Sequence, residues 1–229
     1  QALYEDRFAD AKHIIYAGAS LLTENLKQKI AGVDFNRNEL VPGVYAEYAY
    51  NPQVTEADKR FSERFGVVAT IRGDFHNIYG TQIAPALTMK YNITMDMVLR
   101  ANVGKGYRTP YFFTDNISSF VNGRPIHIEQ NLNAEEAINY GLSYTLKSKI
   151  ARRNFTLNAD LYQTQFQNQI IVDQETDSKL VSVSNLEGES ITTSALLSTT
   201  YEVISDLTLK LAYKWNHVEY DQAGVRINK

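Results

Sequence analysis

Apolar and polar residues alternate along most of this chain with a period of two. In Leu207-Thr-Leu-Lys-Leu-Ala-Tyr-Lys-Trp215 the apolar set Leu207, Leu209, Leu211, Tyr213 and Trp215 alternates with Thr208, Lys210, Ala212 and Lys214. The same rhythm runs through Phe155, Leu157, Ala159 and Leu161, through Ile138 to Leu146, through Met97 to Val103, and through Ile83 to Tyr91. Successive side chains of a strand point to opposite faces, so this pattern predicts two-faced strands. About nine are expected, over 8–19, 41–51, 64–76, 82–92, 95–108, 136–147, 153–172, 180–204 and 206–220. Helical signal is confined to Thr23 to Ile30 and to a single turn at Asn133 to Ala137.

The connections differ in length. Those at Tyr91 to Asp96, Lys147 to Asn154 and Ile204 to Asp206 are short, whereas 20–40 and 109–135 are long and 51–63 departs from the pattern. Short turns at one end and long loops at the other are expected of a membrane β-barrel. In a soluble sandwich the apolar face would make a core; in a barrel it would meet lipid, and the polar face would line a wet or plugged lumen. Two features favour the barrel. The candidates at 153–172 and 180–204 run to about twenty residues, against about five or six for an ordinary strand. Tyr91, Tyr201, Tyr213 and Trp215 lie near strand ends on the apolar parity, where interfacial aromatic girdles fall. The fold class expected is all-β, an antiparallel up-and-down transmembrane barrel.

Composition changes this picture little. The chain has 229 residues, 44% of them hydrophobic, which excludes a disordered chain. Without Cys it has no disulfide framework and no thiolate metal site. A net charge of -3 and a pI near 5.9 argue against a nucleic-acid partner. No apolar run is long enough for a transmembrane helix. The mean hydropathy of -0.33 is also what a barrel gives, since one face of each strand is polar. Both ends look like the interior of a longer sequence, and no signal peptide precedes Gln1. Residues 1–229 are therefore expected to be one partial domain of a longer protein.

Motifs for catalysis are weak. His13, His76, His127 and His217 lack metal-ligand spacing. No Ser lies in a nucleophile elbow. Gly104-Lys-Gly106 lacks the earlier Gly and the following Ser or Thr of a phosphate loop. Arg72-Gly-Asp74 spells an adhesion tripeptide, but its two charges share the polar face of a strand. Asp173-Gln-Glu-Thr-Asp177 lacks the Gly of a calcium loop and reads as a solvated hairpin tip. Glu135-Glu136 reads as a strand start. No enzyme activity, cofactor or metal is expected.

One segment carries more information. Gly104, Gly106, Tyr107, Arg108 and Pro110 fit the Gly-x-Gly-Phe/Tyr-Arg-x-Pro pattern at a strand exit in TonB-dependent outer-membrane receptors. Asn131-Leu132, Glu135 and the strand from Ile138 then fit that family's Asn-Leu-x-x-Glu segment. Val41-Pro-Gly-Val-Tyr-Ala-Glu-Tyr48, Ala69 to Asp74, Pro85 to Tyr91 and Asn185 to Gly188 resemble further segments in the right order, with Gly73 where an aromatic is common and Ala86 where Arg is frequent. Arg37 to Gly43 and Phe120 to Arg124 resemble receptors of Bacteroidetes-type bacteria.

The resemblance implies about nine strands of a 22-stranded barrel in a Gram-negative outer membrane, without its plug domain. It implies active import of a scarce ligand of siderophore, metal-chelate or cobalamin type, with energy delivered by the TonB complex through parts outside this sequence. Outer-membrane lipid, the plug and the small-molecule ligand are the partners expected. Tyr111, Phe112, Phe113, Phe120, Arg124 and His127 in the long connection are candidates for ligand contact, since aromatics with a cation suit flat or anionic ligands. The alternative for Phe112, Phe113 and Phe120 is packing of the loop on itself. Arg72, Lys90, Arg100, Asp160 and Lys210 are candidates for the lumen or plug-facing wall, and Arg108 for a structural role at the strand exit. A passive porin and a soluble all-β binding module remain the rival readings.

Overall fold

A computed structural model of the chain describes residues 2–8, 12–30, 33–51, 64–111, 117–120, 123–129, 132–174, 177, 179–186, 188–222 and 225–228. Its strands are β1 (Ala2–Phe8), β2 (His13–Ile30), β3 (Val33–Tyr50), β4 (Phe65–His76), β5 (Gly80–Asn92), β6 (Met97–Arg108), β7 (Ile126–Ile128), β8 (Glu135–Ile150), β9 (Arg153–Gln167), β10 (Ile170–Asp173), β11 (Val181–Asn185), β12 (Glu189–Ile204), β13 (Leu207–Gln222) and β14 (Val225–Asn228), with a short helix α1 (Ile117–Phe120). Eleven of the strands form one antiparallel sheet in the order β1-β2-β3-β4-β5-β6-β8-β9-β12-β13-β14, open at both ends. The other three form a small sheet, β10-β11-β7.

The alternation seen in sequence becomes two continuous faces because register partners share a side. Trp215 lies opposite Ala195, which pairs with Leu161, then Leu142, Ala101, Met89 and Val67 across seven strands. On β13 the apolar band ends at Trp215, with His217 and Glu219 beyond it; on β6 it ends at Val103, before Lys105. On β4 it continues past Val67 to Phe75, and on β3 to Leu40. The band therefore climbs relative to the register, as it must where tilted strands cross a flat membrane. Nothing among the described residues covers it: Leu211 is 62% exposed and Tyr213 69%. A sandwich would bury these residues, so that reading fails. Replacing Leu211 by Arg is expected to cost about 2–4 kcal/mol in the full-length protein in lipid, measured by urea unfolding. A cost near zero would show that Leu211 does not face lipid.

Several expected boundaries need correction. Residues 20–40 are the arms of a long hairpin, with Gln28 opposite Phe35 and Ile30 opposite Val33. The helix expected over Thr23 to Ile30 is thus a strand. An isolated helix of that length is marginal in water, while β3 supplies a full ladder of partners. The helical turn expected at Asn133 to Ala137 gives way to the start of β8 at Glu135. The strand expected over 153–172 breaks after Gln167, where Asn168 takes a positive φ of 54°. The strand expected over 180–204 breaks between β11 and β12, around Gly188 with φ 131°.

The expected alternation of connections holds at three short turns and fails at residues 77–79, a three-residue turn at the long-loop end. Ala151 and Arg152, with φ of 50° and 66°, make a two-residue primed turn between Ile150 and Arg153. Residues 93–96 and Ser205–Asp206 are also short. Most of 51–63 lies outside the described residues. At the opposite end lie the 109–134 and 168–188 connections. They meet in the small sheet, where β7 runs parallel to β11 and places Ile126, His127 and Ile128 opposite Val181, Ser182 and Val183.

Candidate functional site

Side chains of opposite parity to the apolar band line a polar wall. Arg72 lies opposite Tyr45 and Ala84; Lys90 lies opposite Arg100; Asp160 lies opposite Ser143 and Leu196; Lys210 lies opposite Thr200. All five wall candidates therefore share one face. Lys90 and Arg100 are like charges in direct cross-strand register, an arrangement that destabilises a sheet unless an anion offsets it. Elsewhere the wall is hydrogen-bonded: Asn139 Nδ2 donates to Thr164 Oγ1 at 2.8 Å, and Asn102 Nδ2 to Asn139 Oδ1 at 3.2 Å.

At the long-loop end the wall holds a buried charged cluster that the sequence reading missed. Arg37, Glu39, Asp74 and His76 are each no more than 9% exposed. Arg37 Nε meets Glu39 at 2.5 Å, and Nη1 donates to Tyr79 Oη at 3.0 Å and to the Pro110 carbonyl at 2.6 Å. Its guanidinium lies 5.0 Å from the Tyr111 ring centre, and Tyr111 donates its hydroxyl to Glu24 at 2.7 Å. His76 Nδ1 accepts from the backbone N–H of Ile78 and Tyr79, so in the neutral ring Nε2 carries the proton, 3.4 Å from Glu39. Asp74 accepts from Arg72 at 2.7 Å and from Tyr107 at 2.9 Å. Gly43 is required beside it, because a Cβ there would collide with the Asp74 carboxylate. Burial raises the Tyr79 hydroxyl pKa, and the hydrogen bond to Glu24 raises that of Tyr111; both remain protonated hydrogen-bonding groups.

The only sequence signal for this cluster was the spacing Arg37-x-Glu39 and Asp74-x-His76, which puts each pair on one strand face. The reading of 20–40 as a loop hid it.

The loop candidates separate into different environments. Phe120 is 3% exposed and packs with Val181 and Val183, ringed by Ile126, Ile128, Leu132, Ile170 and Val172. It packs the loop core, which is the alternative that the sequence offered for this residue. Phe112 and Phe113 lie outside the described residues. Tyr111 is half-buried against Arg37 and Glu24. Arg124 donates to the Gln174 carbonyl at 3.0 Å and to its side-chain oxygen at 2.8 Å, joining the two loops. His127 is exposed on β7. Arg108 grips Glu135, with Nε at 2.7 Å and Nη2 at 2.6 Å, while Glu135 accepts the Ile170 N–H at 2.8 Å. That fork ties the exit of β6 to the starts of β8 and β10. A cavity of about 430 Å³ opens beside it, lined in part by Gly106, Tyr107, Phe166 and Gln169.

A family model described as "TonB dependent receptor-like, beta-barrel" matches residues 15–229. No curated protein matches the chain. Among solved structures, the chain resembles the FrpB iron transporter from Neisseria meningitidis, with a TM-score of 0.68 at 13% identity, covering 95% of this chain and 34% of that one. It resembles the siderophore receptor PirA from Pseudomonas aeruginosa, with a TM-score of 0.68 at 13% identity, covering 94% and 44%. It also resembles the copper transporter OprC, with a TM-score of 0.65 at 10% identity, covering 96% and 41%. The chain thus spans less than half the length of these relatives, and the likeness is one of fold.

Proposed function

The chain belongs to the family of TonB-dependent receptor β-barrels of the Gram-negative outer membrane, and from that premise we propose that it forms part of the wall of a receptor importing a scarce ligand. The observation that carries this reading is the eleven-stranded sheet in sequence order, with its bare apolar band on one side and its polar wall on the other. A transporter needs both faces: one to sit in lipid, one to enclose a path. The ligand class that fits best is a siderophore or other metal chelate, with cobalamin as the further member. The relatives are transporters or receptors of iron, siderophore and copper.

The plug domain of the full receptor would fill the lumen against the polar wall. Its carboxylates would offset the Lys90 and Arg100 pair, which lies open on that wall, and Arg72, Asp160 and Lys210 would offer further polar contacts. The TonB complex would act through parts beyond this chain. At the loop end, Tyr111 and His127 are the described candidates that would meet a ligand.

Growth of a deletion strain on single iron or vitamin sources tests the reading. A growth deficit on one source is expected; the full gene should restore growth, and removal of TonB should abolish it again. Uptake that persists without TonB would point to a passive pore and overturn it.

A further inference from the structure

Between β5 and β6 the wall is paired over only part of its height. The ladder runs from Asn92 opposite Val98 to Ala86 opposite Gly104 and stops there. Both strands continue, β5 back to Gly80 in register with β4, and β6 on to Arg108 in register with β8. A seam is left between 80–85 and 105–108, and each of its edges is paired only on the far side. Pro85 is the reason. The Ile93 N–H donates to the Met97 carbonyl at 2.9 Å, in phase with this ladder, so odd-numbered residues of β5 and β6 turn their backbone groups to each other. The rung after Leu87 and Val103 would need an N–H at position 85, which proline lacks. Beyond it the backbone groups of Thr81, Ile83, Lys105 and Tyr107 face the seam with no rung between the strands. Unpaired backbone is not tolerated in hydrocarbon, and on β6 the seam starts where the apolar band ends, at Val103.

Side chains span the seam instead. Tyr107 of β6 donates its hydroxyl to Asp74 of β4 at 2.9 Å, reaching past β5. Arg37 of β3 donates to the Pro110 carbonyl at 2.6 Å, and Tyr111 donates to Glu24 of β2 at 2.7 Å. Each of these bonds skips β5. Gln82, which lies opposite Asp74 on β5, gives its amide to the Tyr79 carbonyl at 2.8 Å. The seat of the Tyr107 bond is fixed from its own side: Asp74 is 2% exposed and accepts from Arg72, which also donates to Ser20 at 3.0 Å.

We propose that the seam is an opening built into the wall: the two halves of the loop end, β2–β5 on one side and β6, β8 and β9 on the other, part along it, and Tyr107 on Asp74 is the latch that holds it shut. Parting there breaks no backbone ladder, because none is made. The strands on either side keep their own long ladders, so each half moves as a body. The ladder below, closed by Ala86 and Gly104, is the hinge. Gly104 suits that place, since a Cβ there would come 3.2 Å from the Ala86 Cβ and crowd the last rung. A parted seam widens the mouth of the wall without unfolding a strand. On the uptake reading that gives a bulky ligand room to enter; the device itself does not rest on that reading, and its test measures motion and not uptake.

The test uses the full-length receptor in lipid, with residue-level hydrogen exchange and the distance between spin labels placed at the exposed positions Thr81 and Gln163, one on each half. In the unaltered receptor the amides of Ile83 and Lys105 are expected to exchange roughly a hundredfold faster than those of Leu87 and Val103, one rung beyond Pro85. Tyr107→Phe keeps the ring and removes the latch bond. It should speed exchange at Ile83 and Lys105 roughly tenfold further and shift the label distances to longer values. Pro85→Val acts in the opposite direction: it restores the missing N–H, so protection should extend to Ile83 and Lys105 and the distance distribution should narrow. Ile83 and Lys105 amides as slow as Leu87 and Val103 in the unaltered receptor overturn the proposal. So does a Tyr107→Phe receptor with unchanged exchange and distances, or a Pro85→Val receptor that gains no protection.

Discussion

Replacing Arg37 by Ala should destabilise the loop end of the wall by about 3–5 kcal/mol, the usual cost of breaking a buried ion pair by removing one partner. The side chains of Arg37 and Glu39 are only 6% and 2% exposed. Without the guanidinium, the Glu39 carboxylate keeps His76 as a neighbour at 3.4 Å in surroundings that exclude water. The same change releases the Pro110 carbonyl and the ring of Tyr111, the second and third residues after β6. Two readouts are therefore expected to move together: the thermal midpoint of the full-length receptor falls, and protease cleaves the 109–134 connection sooner. Lys at this position should not rescue, because an ammonium cannot serve a carboxylate, a hydroxyl and a carbonyl with one planar fork. An apolar pair, Arg37→Met with Glu39→Leu, should recover much of the loss, because it removes the stranded charge. If Arg37→Ala shifts neither readout, the cluster does not hold the loop.

The second large effect is local. Phe120→Ala should cost the loop module about 3–5 kcal/mol, the range for emptying an aromatic site in a packed core. Phe120, Val181 and Val183 are its most buried apolar side chains, and the strands around them are short. A sheet of three such strands has little beyond this core to hold it. Hydrogen exchange of the full-length receptor would report the loss. Amides of β7, β10 and β11 should lose protection, while β4, β5 and β9, held by long antiparallel ladders, should not change. Exchange that is unchanged in β7 and β11 would show that other contacts order the two loops.

The strands, the two faces and the short turns were legible because period-two alternation is a local property. Leu207 to Trp215 announces its lipid side whatever its neighbours are. The resemblance around Gly104 to Pro110 was legible for a related reason: a strand exit with fixed turn residues leaves a fixed local pattern. Arg108 was expected to have a structural role at that exit, but its partner Glu135, at the start of the next wall strand, was not legible.

The hairpin of β2 and β3 was not legible. Its polar and apolar residues alternate weakly beyond Leu22, and both arms lie past the band, where lipid no longer dictates one face. Only pairing with β3 makes Thr23 to Ile30 a strand. The Arg37–Glu39–His76 cluster depends on that hairpin and was hidden with it. Phe120 shows the converse: an aromatic in a long loop serves equally well as ligand contact or as core, and the parallel pairing of β7 with β11, across more than fifty residues of chain, places it in the core.

The sequence by itself determined that the strands are two-faced, which face of each is apolar, and where three of the short turns lie, because side-chain direction along a strand and water's exclusion of apolar groups act residue by residue. Only the tertiary structure decided how far the hairpin reaches, that two distant loops fold around one small core, and that Arg37, Glu39, Asp74 and His76 are all buried at one end of the wall. Those outcomes depend on register and on contacts between residues far apart in the chain, and no local period carries that information.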